Sequence, residues 1–306
     1  MKTKVTIIGA GRVAYSLASA LKKNGYEIYS VISRNINSSK KLAQKLSIKN
    51  YSTDLKLIPK STKLFFFTVP DGEIKKVAVE LSHLKLNFKN SYFIHLSGSE
   101  NIETLNPLKR KGGRTASIHP MQTFPSHKIV SLKNVYAAIE IKEDNRFRYL
   151  GKLCKTLGMI PFRIKSDKKS LYHLAGVFAS NFLAGNLFVS KRMLVENKIP
   201  ENMFFNILNA TVNTTLSNIK KVGPAKALSG PVERGDIQTI CKHISSLKKM
   251  IKKPDGKYCF LQLKNYIVQS IILLDLVEEK QGKLNNTHLQ IRKLLVRELR
   301  NLKDSN

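Results

Sequence analysis

The stretch Val5–Gly25, VTIIGAGRVAYSLASALKKNG, predicts a strand that turns directly into a helix. Its first four residues are β-branched, and an amphipathic helical pattern follows the turn. Between the two lies G-A-G-R-V-A, in which Gly9 permits a tight turn and Gly11 leaves room for a diphosphate to approach the backbone. Ala14 takes the third position, where a small residue lets helix and strand pack closely.

Such a turn after the first strand predicts a dinucleotide site, with the diphosphate held against free N–H groups at the helix N-terminus. The residues predicted to hold it are Gly9, Gly11, Arg12 and Val13. The alternative is a tight turn without a ligand. An export signal is excluded, because Gly9, Gly11 and Arg12 interrupt the apolar core that a signal peptide requires.

The 306 residues are enough for two domains of ordinary size. In the first half, short β-branched or aromatic runs alternate with helical patterns, which is typical of a parallel sheet covered by helices on both faces. After Ser166 nearly all patterns are helical. The sequence therefore predicts an α/β fold: a doubly wound parallel sheet of Rossmann type over residues 1–166, and an all-α domain over residues 167–306.

The chain is strongly basic, with 53 Lys and Arg against 21 Asp and Glu and a formal net charge of +32. Paired lysines such as Lys40–Lys41 and Lys168–Lys169 are spread along the sequence, and we interpret them as solvated. A dense basic arm or a basic stripe interleaved with aromatics is missing, so no specific nucleic-acid partner is predicted.

No uninterrupted apolar stretch reaches the ~20 residues of a membrane helix, so no membrane partner is predicted. The longest candidate, Leu171–Val189, is interrupted by His173, Ser180 and Asn181, and is expected to be a buried helix. Three cysteines at distant positions offer neither a disulfide framework nor the spacing of metal ligands, which favours a reducing cytoplasm.

The second strand ends in VISRN, and this ending distinguishes between two dinucleotides. An NAD site usually has Asp or Glu here to bind the ribose 2′-hydroxyl. Ser33 and Arg34 stand there instead, and a guanidinium can bind a 2′-phosphate through two charge-assisted hydrogen bonds. The residues therefore favour NADP(H), although Arg34 could also be one more solvated cation.

Ligands of open α/β sheets lie beyond the carboxyl ends of the strands. FFFTVPDGEI ends a strand at Val69 and Pro70, where a nicotinamide ribose would lie, and FIHLSGSE offers the Ser97 hydroxyl. In ASIHPMQTFP, His119 is fixed before a proline and is suited to orient a carbonyl or donate a proton, with Gln122 nearby. Caps, turns or a backbone-bonded histidine are the structural alternatives.

Two further segments carry candidate polar groups. On an uninterrupted α-helix, His173 and Ser180 lie within roughly 20° of one another, with Asn181 beside them, either around a ligand or in a buried network. In AKALSGPVERGDIQT, a helix beginning at Gly230–Pro231 would place Arg234 in its first turns. Arg234 could bind an anionic substrate there, or the segment could be a helix start alone.

The motifs GAGRVA, TVPDGEI, HLSGS, SIHPMQTF, YHLAGVFASNFL and ALSGPVERGD, in this order, resemble the Rossmann-like/DUF2520 proteins, NADP oxidoreductases of the 6-phosphogluconate-dehydrogenase-like group. Relatives in that group include pyrroline-5-carboxylate reductase and ketopantoate reductase. The resemblance covers nearly the whole chain. It implies a dinucleotide domain and a helical domain that forms homodimers.

Together these observations predict an NADPH-dependent reductase that transfers a hydride to the C=O or C=N of a small carboxylate, for example a 2-oxo acid such as ketopantoate. His119 or His173 would supply the proton and Asn181 would orient the carbonyl. Ser97, Gln122, Ser180 and Arg234 would contact the substrate. A non-catalytic NADP(H) sensor, or a scaffold that binds acidic partners, is the alternative.

Overall fold

The computed structural model describes residues 3–251 and 257–302, and the chain divides into two compact units, Met1–Ala184 and Gly185–Asn306. The first unit contains the sheet, and the described part of the second is helical. This division falls within the long helical run that follows residue 166. The boundary at residues 166 and 167 stays a prediction about the domains.

Eight strands form one sheet in the first unit, in the order β3-β2-β1-β4-β5-β6-β7-β8. Polar residues shorten the edge strand β3, which explains why no strand was predicted there. The strands are β1 Lys4–Ile8, β2 Glu27–Ile32, β3 Asn50–Ser52, β4 Leu64–Phe67, β5 Tyr92–His95, β6 Arg114–Pro120, β7 Tyr136–Glu140 and β8 Ile160–Arg163.

The first six strands are parallel, which confirms the doubly wound Rossmann sheet. One strand pair near the edge of the sheet departs from the predicted parallel arrangement. β7 pairs antiparallel with β6, so that Ser117 lies opposite Glu140, and β8 is parallel to β7. No helix connects β6 to β7, and a parallel pair would need such a crossover.

Helices cover both faces of this sheet, and the central strands are buried on both sides. In β4, Phe66 packs into the core on one face, whereas Phe65 and Phe67 pack into the core on the other. The helices of this unit are α1 Arg12–Lys23, α2 Ile36–Lys45, α3 Asp71–Ser82, α4 Asn106–Arg110, α5 Asp144–Thr156 and α6 Lys169–Gly176.

The long helix predicted after residue 166 differs from expectation in two respects. A π-helical segment, Val177–Phe182, follows α6, so the angle computed for an uninterrupted α-helix between His173 and Ser180 does not apply. The run is also not buried: Leu171 and Phe178 are 69% and 55% exposed in the single chain. Burial was predicted from the apolar composition alone, which does not show whether other residues of the same chain pack against the helix.

Lys169 corrects the interpretation of the paired lysines as solvated. Lys168 is exposed, but the Lys169 side chain is only 1% exposed and lies 3.1 Å from the carboxylate of Glu140. Its chain neighbours gave no indication of this partner, which is 29 residues away in sequence.

In the second unit, α10 (Ile237–Ile251) and α12 (Asn286–Asn301) pack against a stripe of apolar side chains on α11 (Lys257–Gln281): Leu263, Ile267, Leu274 and Val277. Within the described residues, α11 is the one helix long and apolar enough to cross a membrane, over Cys259–Gln281, although a core helix passes the same test. The helices are α7 Leu183–Glu196, α8 Phe204–Val222, α9 Pro224–Ala227, α10 Ile237–Ile251, α11 Lys257–Gln281 and α12 Asn286–Asn301.

The helix expected to begin at Gly230–Pro231 begins instead at Ile237. Turns precede it, and Gly235 has a φ of 70°, a left-handed conformation that cannot belong to a right-handed helix. Asp236 caps the helix, because its carboxylate accepts from the Thr239 N–H at 3.0 Å and from the Thr239 hydroxyl at 2.7 Å. Arg234 therefore lies in the turn, outside the helix.

Candidate active site

The turn after β1 is shaped by the end of β4. Gly9 has a φ of 100°, and a Cβ on it would lie 2.6 Å from the Thr68 backbone. The Thr68 hydroxyl donates to the carbonyl of Gly9 at 2.6 Å. Gly9 is therefore required by this close approach, whether or not a ligand binds.

The N-terminus of α1 is free of side-chain partners. Gly11 caps the helix without a side-chain hydrogen bond, and the first turn contains no acidic residue. The Ala14 N–H donates to the Gly11 carbonyl at 3.1 Å. The N–H groups of Arg12 and Val13 precede it in the first turn and can face an anion, and the helix dipole favours negative charge at the same place. Arg12 and Val13 are the first helical residues, as the predicted diphosphate contact requires.

A cavity of about 700 Å³ opens beside this helix end, within the range of cofactor sites. The lining includes Gly9 and Gly11 of the turn. It also includes residues at the ends of β2 and β4, namely Ile32, Ser33, Arg34, Thr68, Val69 and Pro70. Of the eight residues predicted to bind the cofactor, six line it; Arg12 and Val13 do not. The structure thus brings most of the predicted cofactor residues to one cavity.

Arg34 lines this cavity and pairs with Glu73 of α3. Its Nη1 lies 3.1 Å from Glu73 Oε2, and the arginine side chain is 75% exposed. A hydrogen bond from Lys76, and then the charge of Arg34, lower the pKa of the Glu73 carboxyl. Arg34 is therefore held at the cavity by a surface ion pair and stays open to a further anion.

An acidic residue also lines the cavity, and the sequence did not indicate it. Asp54 follows β3, and its carboxylate accepts from the Lys56 N–H at 2.8 Å. Because β3 was not predicted, the residues after it were not considered as neighbours of the second strand. The Asp54 carboxylate caps a short helical turn, Leu55–Leu57.

Hydroxyl groups after β5 face the start of α3. Ser99 donates to the carboxylate of Asp71 at 2.7 Å. Ser97 accepts from the backbone N–H groups of Ser99 and Glu100, at 3.2 Å and 2.9 Å. The predicted capping alternative for Ser97 is therefore present, and substrate binding by Ser97 stays a prediction.

Beyond these hydroxyls, His119 at the end of β6 meets His173 of α6. The ring centroids are 5.6 Å apart and the rings are nearly perpendicular, at 74°. Gly98 leaves the space they occupy: a Cβ there would lie 2.7 Å from His119 Nε2 and closer still to His173 Nδ1. Two histidines predicted separately as proton donors thus form one pair.

Burial, and to a smaller extent the charges of His173 and Lys169, lower the pKa of His119 from 6.5 to about 4, against an opposing effect of Asp71. His119 is therefore neutral at neutral pH. Its Nδ1 has no hydrogen-bond partner among the described residues. A neutral imidazole presents one N–H donor, which suits it to orient a carbonyl oxygen.

Tyr172 is a neighbour that the sequence analysis missed. Its ring meets His119 edge to face at 5.6 Å, and burial raises the pKa of its hydroxyl to about 12. That hydroxyl is buried without a partner among the described residues. Its position directly before His173 in LYHLAG is the only signal that could have indicated it.

The other predicted substrate residues are not brought to this histidine pair by any described contact. Gln122 is exposed and accepts from the Thr123 N–H at 2.8 Å. Ser180 and Asn181 lie in the π-helical segment, and Asn181 is exposed. Arg234 belongs to the second unit. Their roles stay predictions.

The order of the strands, the glycine turn after β1 and the cavity beside that turn are those of the Rossmann class of proteins, to which the chain belongs. A Rossmann-like domain model matches residues 1–120, and the model of DUF2520, a domain of unknown function, matches residues 135–265. The chain thus contains a Rossmann-like domain followed by a DUF2520 domain, which confirms the resemblance seen in the motifs. No curated protein sequence matches it.

Many solved structures are similar to the chain. A protein named "putative NADP oxidoreductase" from Bacteroides fragilis is 25% identical, with a TM-score of 0.73 over 89% of this chain and 98% of that one. Protein TM1727 from Thermotoga maritima is 26% identical, with a TM-score of 0.66 over 90% and 99%. A reductive aminase from Aspergillus terreus, in complex with NADPH and ethyl-5-oxohexanoate, is 12% identical, with a TM-score of 0.58 over 98% and 95%.

Proposed function

We propose that this protein is a reductase that uses NADP(H) and transfers a hydride to the C=O or C=N of a small carboxylate, such as a 2-oxo acid. The observation that carries the proposal is the single cavity that joins the uncapped N-terminus of α1 to Arg34 at the end of β2. The names of the B. fragilis and A. terreus proteins support the cofactor and the reaction class.

The residues present fit such a cofactor. A Cβ on Gly9 or Gly11 would crowd the Thr68 backbone, and side chains there would also fill the approach to the helix N–H groups. In the proposal, Gly9, Gly11, Arg12 and Val13 hold the diphosphate. Ser33 and Arg34 bind the 2′-phosphate, and Val69 and Pro70 contact the nicotinamide ribose.

When bound, the reduced nicotinamide supplies the hydride, and the protein supplies position and a proton. Hydride addition leaves a pair of electrons on the substrate oxygen or nitrogen, which must be protonated. His119 is neutral and is assigned to orient that atom through its N–H. The proton is assigned to His173, which lies on the same side of Gly98. Asn181 is assigned to orient the carbonyl, and Ser97, Gln122, Ser180 and Arg234 to bind the substrate.

The test has two stages. Calorimetric titrations with NADPH and NADH measure whether the cavity binds a dinucleotide and which one it prefers. NADPH oxidation is then followed with a panel of 2-oxo acids and cyclic imines. Heat of binding with turnover of one panel member is the expected result, and the absence of heat with both dinucleotides contradicts the proposal.

A second candidate, of a different class, is a non-catalytic NADP(H) sensor or scaffold. The formal net charge of +32 favours it, because such a surface attracts acidic partners. A sensor would bind NADPH without oxidising it with any panel member. The two candidates therefore differ in the second stage of the same test.

A homodimer through the helical domain is part of the proposal. α8 has no buried residue in the single chain, and its apolar side chains Phe205, Leu216 and Val222 are 56%, 49% and 50% exposed. A second copy of the chain would cover such a surface. Light scattering on the purified protein tests this, and a monomer at micromolar concentration contradicts it.

The reducing cytoplasm stays a proposal that rests on free Cys154, Cys241 and Cys259.

A further inference from the structure

Lys169 is a buried cation whose hydrogen bonds are complete. Its ammonium donates to Ser117 Oγ at 2.6 Å, to Glu140 Oε2 at 3.1 Å and to the carbonyl of Glu100. A lysine ammonium has three N–H donors. No donor is left for a ligand, so Lys169 is a fixed charge and is not available to donate to a substrate.

Its partner Glu140 is equally enclosed. The carboxylate is 2% exposed, and its other oxygen accepts from the Ile102 N–H at 3.1 Å and from the Ser166 hydroxyl at 2.6 Å. A buried ion pair is often no more stabilising than an apolar pair of similar volume, because both charges lose their hydration. Stability alone is therefore a weak explanation for this pair, whereas the fixing of one element against another is an attested use.

The spacing on the two elements shows what the pair aligns. Ser117 and His119 are two residues apart on β6, so they share one face of the sheet, roughly 6.6 Å apart along the strand. Lys169 and His173 are four residues apart on α6, so they share one face of the helix, about 6 Å apart along its axis. Lys169 to Ser117 and His173 to His119 are thus successive contacts between the same strand and the same helix.

We propose that Lys169 is a positioning residue, whose hydrogen bonds to Ser117 and Glu140 fix α6 along β6 so that His173 meets His119 edge to face. The effect on turnover rests on the function proposed above, and the effect on the histidine pair does not. The charge of Lys169 also contributes to the lowered pKa of His119 and of the buried His95.

The test uses the full chain and a readout that does not depend on activity. The double substitution Lys169→Met with Glu140→Gln removes both charges together, so no unpaired charge is left buried. Lys168→Met is the matched control, since Lys168 is exposed and pairs with Asp167 at the surface. In protein with labelled histidines, NMR measures the nuclear Overhauser effect between the rings of His119 and His173.

The double variant is expected to bind NADPH as the wild type does and to lose the nuclear Overhauser effect between the two histidine rings. Its kcat should fall on the order of a hundredfold at unchanged KM for NADPH. Lys168→Met should change none of these. A double variant that keeps both the ring–ring effect and kcat overturns the proposal. If the wild type itself has no turnover, the NMR comparison still decides the positioning role, and only the proposed function fails.

Ser117→Ala serves if the double variant does not fold. It removes one acceptor of Lys169 and leaves both charges in place. A weaker ring–ring effect and a severalfold lower kcat are then expected, in the direction of the double variant. Wild-type values for both measurements in Ser117→Ala would overturn the proposal.

Discussion

The rings of His119 and His173 meet edge to face with their centroids 5.6 Å apart, and Gly98 lies where a side chain would separate them. The pair joins a strand end to a helix that follows it by some fifty residues in sequence. Its geometry therefore depends on a position that carries no side chain at all.

Gly98→Ala tests this dependence. The new methyl group would approach His119 Nε2 to 2.7 Å, so one or both rings must move, and turnover should fall about a hundredfold through misplacement of the reacting groups. Binding of NADPH should be retained. Gly72→Ala is the matched control, because a Cβ at Gly72 meets no atom within 4 Å. Equal kinetics for the two variants would show that the histidine pair is not part of the reaction.

His119→Ala distinguishes an enzyme from a sensor. If His119 orients the substrate as proposed, loss of its N–H should lower kcat by about a hundredfold to ten-thousandfold, whereas calorimetry should show unchanged NADPH affinity. His127→Ala, which replaces an exposed histidine of the same unit, controls for the substitution itself. Full turnover in His119→Ala would remove this residue from the mechanism.

Arg34→Asp should reverse the preference between the two dinucleotides. It removes charge-assisted hydrogen bonds to a 2′-phosphate and adds a carboxylate that can accept from a 2′-hydroxyl. We expect NADPH affinity to fall about tenfold to a hundredfold while NADH affinity is kept or improved. Arg148→Asp makes the same change of charge at an exposed position of α5. If the ratio of NADPH to NADH affinity changes equally in both variants, the effect is due to net charge and not to a contact of Arg34.

The buried His119 predicts a loss of stability in acid. Its pKa is about 4 in the folded chain against 6.5 for the free side chain, so between these values the unfolded chain binds a proton that the folded chain does not. The free energy of unfolding should therefore fall as pH decreases from 6.5 to 4, with His119 contributing about 3 kcal/mol. The pKa of the buried His95 is also lowered, chiefly by burial, so this residue adds to the same loss of stability with decreasing pH.

Urea unfolding of the wild type and of His119→Gln, compared near pH 7.5 and near pH 5, measures this contribution. Near pH 7.5 His119 is uncharged in both states, so any difference between the two proteins there reflects packing alone. At the lower pH the variant should lose less stability than the wild type. Parallel losses would show that His119 titrates alike in the folded and unfolded chains.

Features set by neighbouring residues could be predicted from the sequence. The turn of GAGRVA follows from a β-branched run, two glycines and an amphipathic helix, all within one short segment. Ser33 and Arg34 were found in the same way, because the end of a strand is a local signal. His119 was found because a proline and a strand end fix it.

Features set by distant residues could not be predicted. Lys169 looked like one of many solvated lysines, and only the folded sheet reveals Glu140 beside it. The edge-to-face contact of Tyr172 with His119 depends on how α6 lies on β6. The three-residue strand β3 has too few apolar residues to give a periodic signal. For Lys169 and Tyr172 the deciding neighbour is far away in the chain.

The hydroxyl of Thr68 donates to the carbonyl of Gly9 within the folded chain. The conformation of the turn after β1 is therefore fixed when the chain folds, before any ligand binds. A ligand that enters such a turn orders little additional backbone, so the entropy lost on binding there is small. The turn should therefore accept any diphosphate ester about equally well. Discrimination among coenzymes must then arise elsewhere, at the far edge of the cavity where the adenosine half would lie.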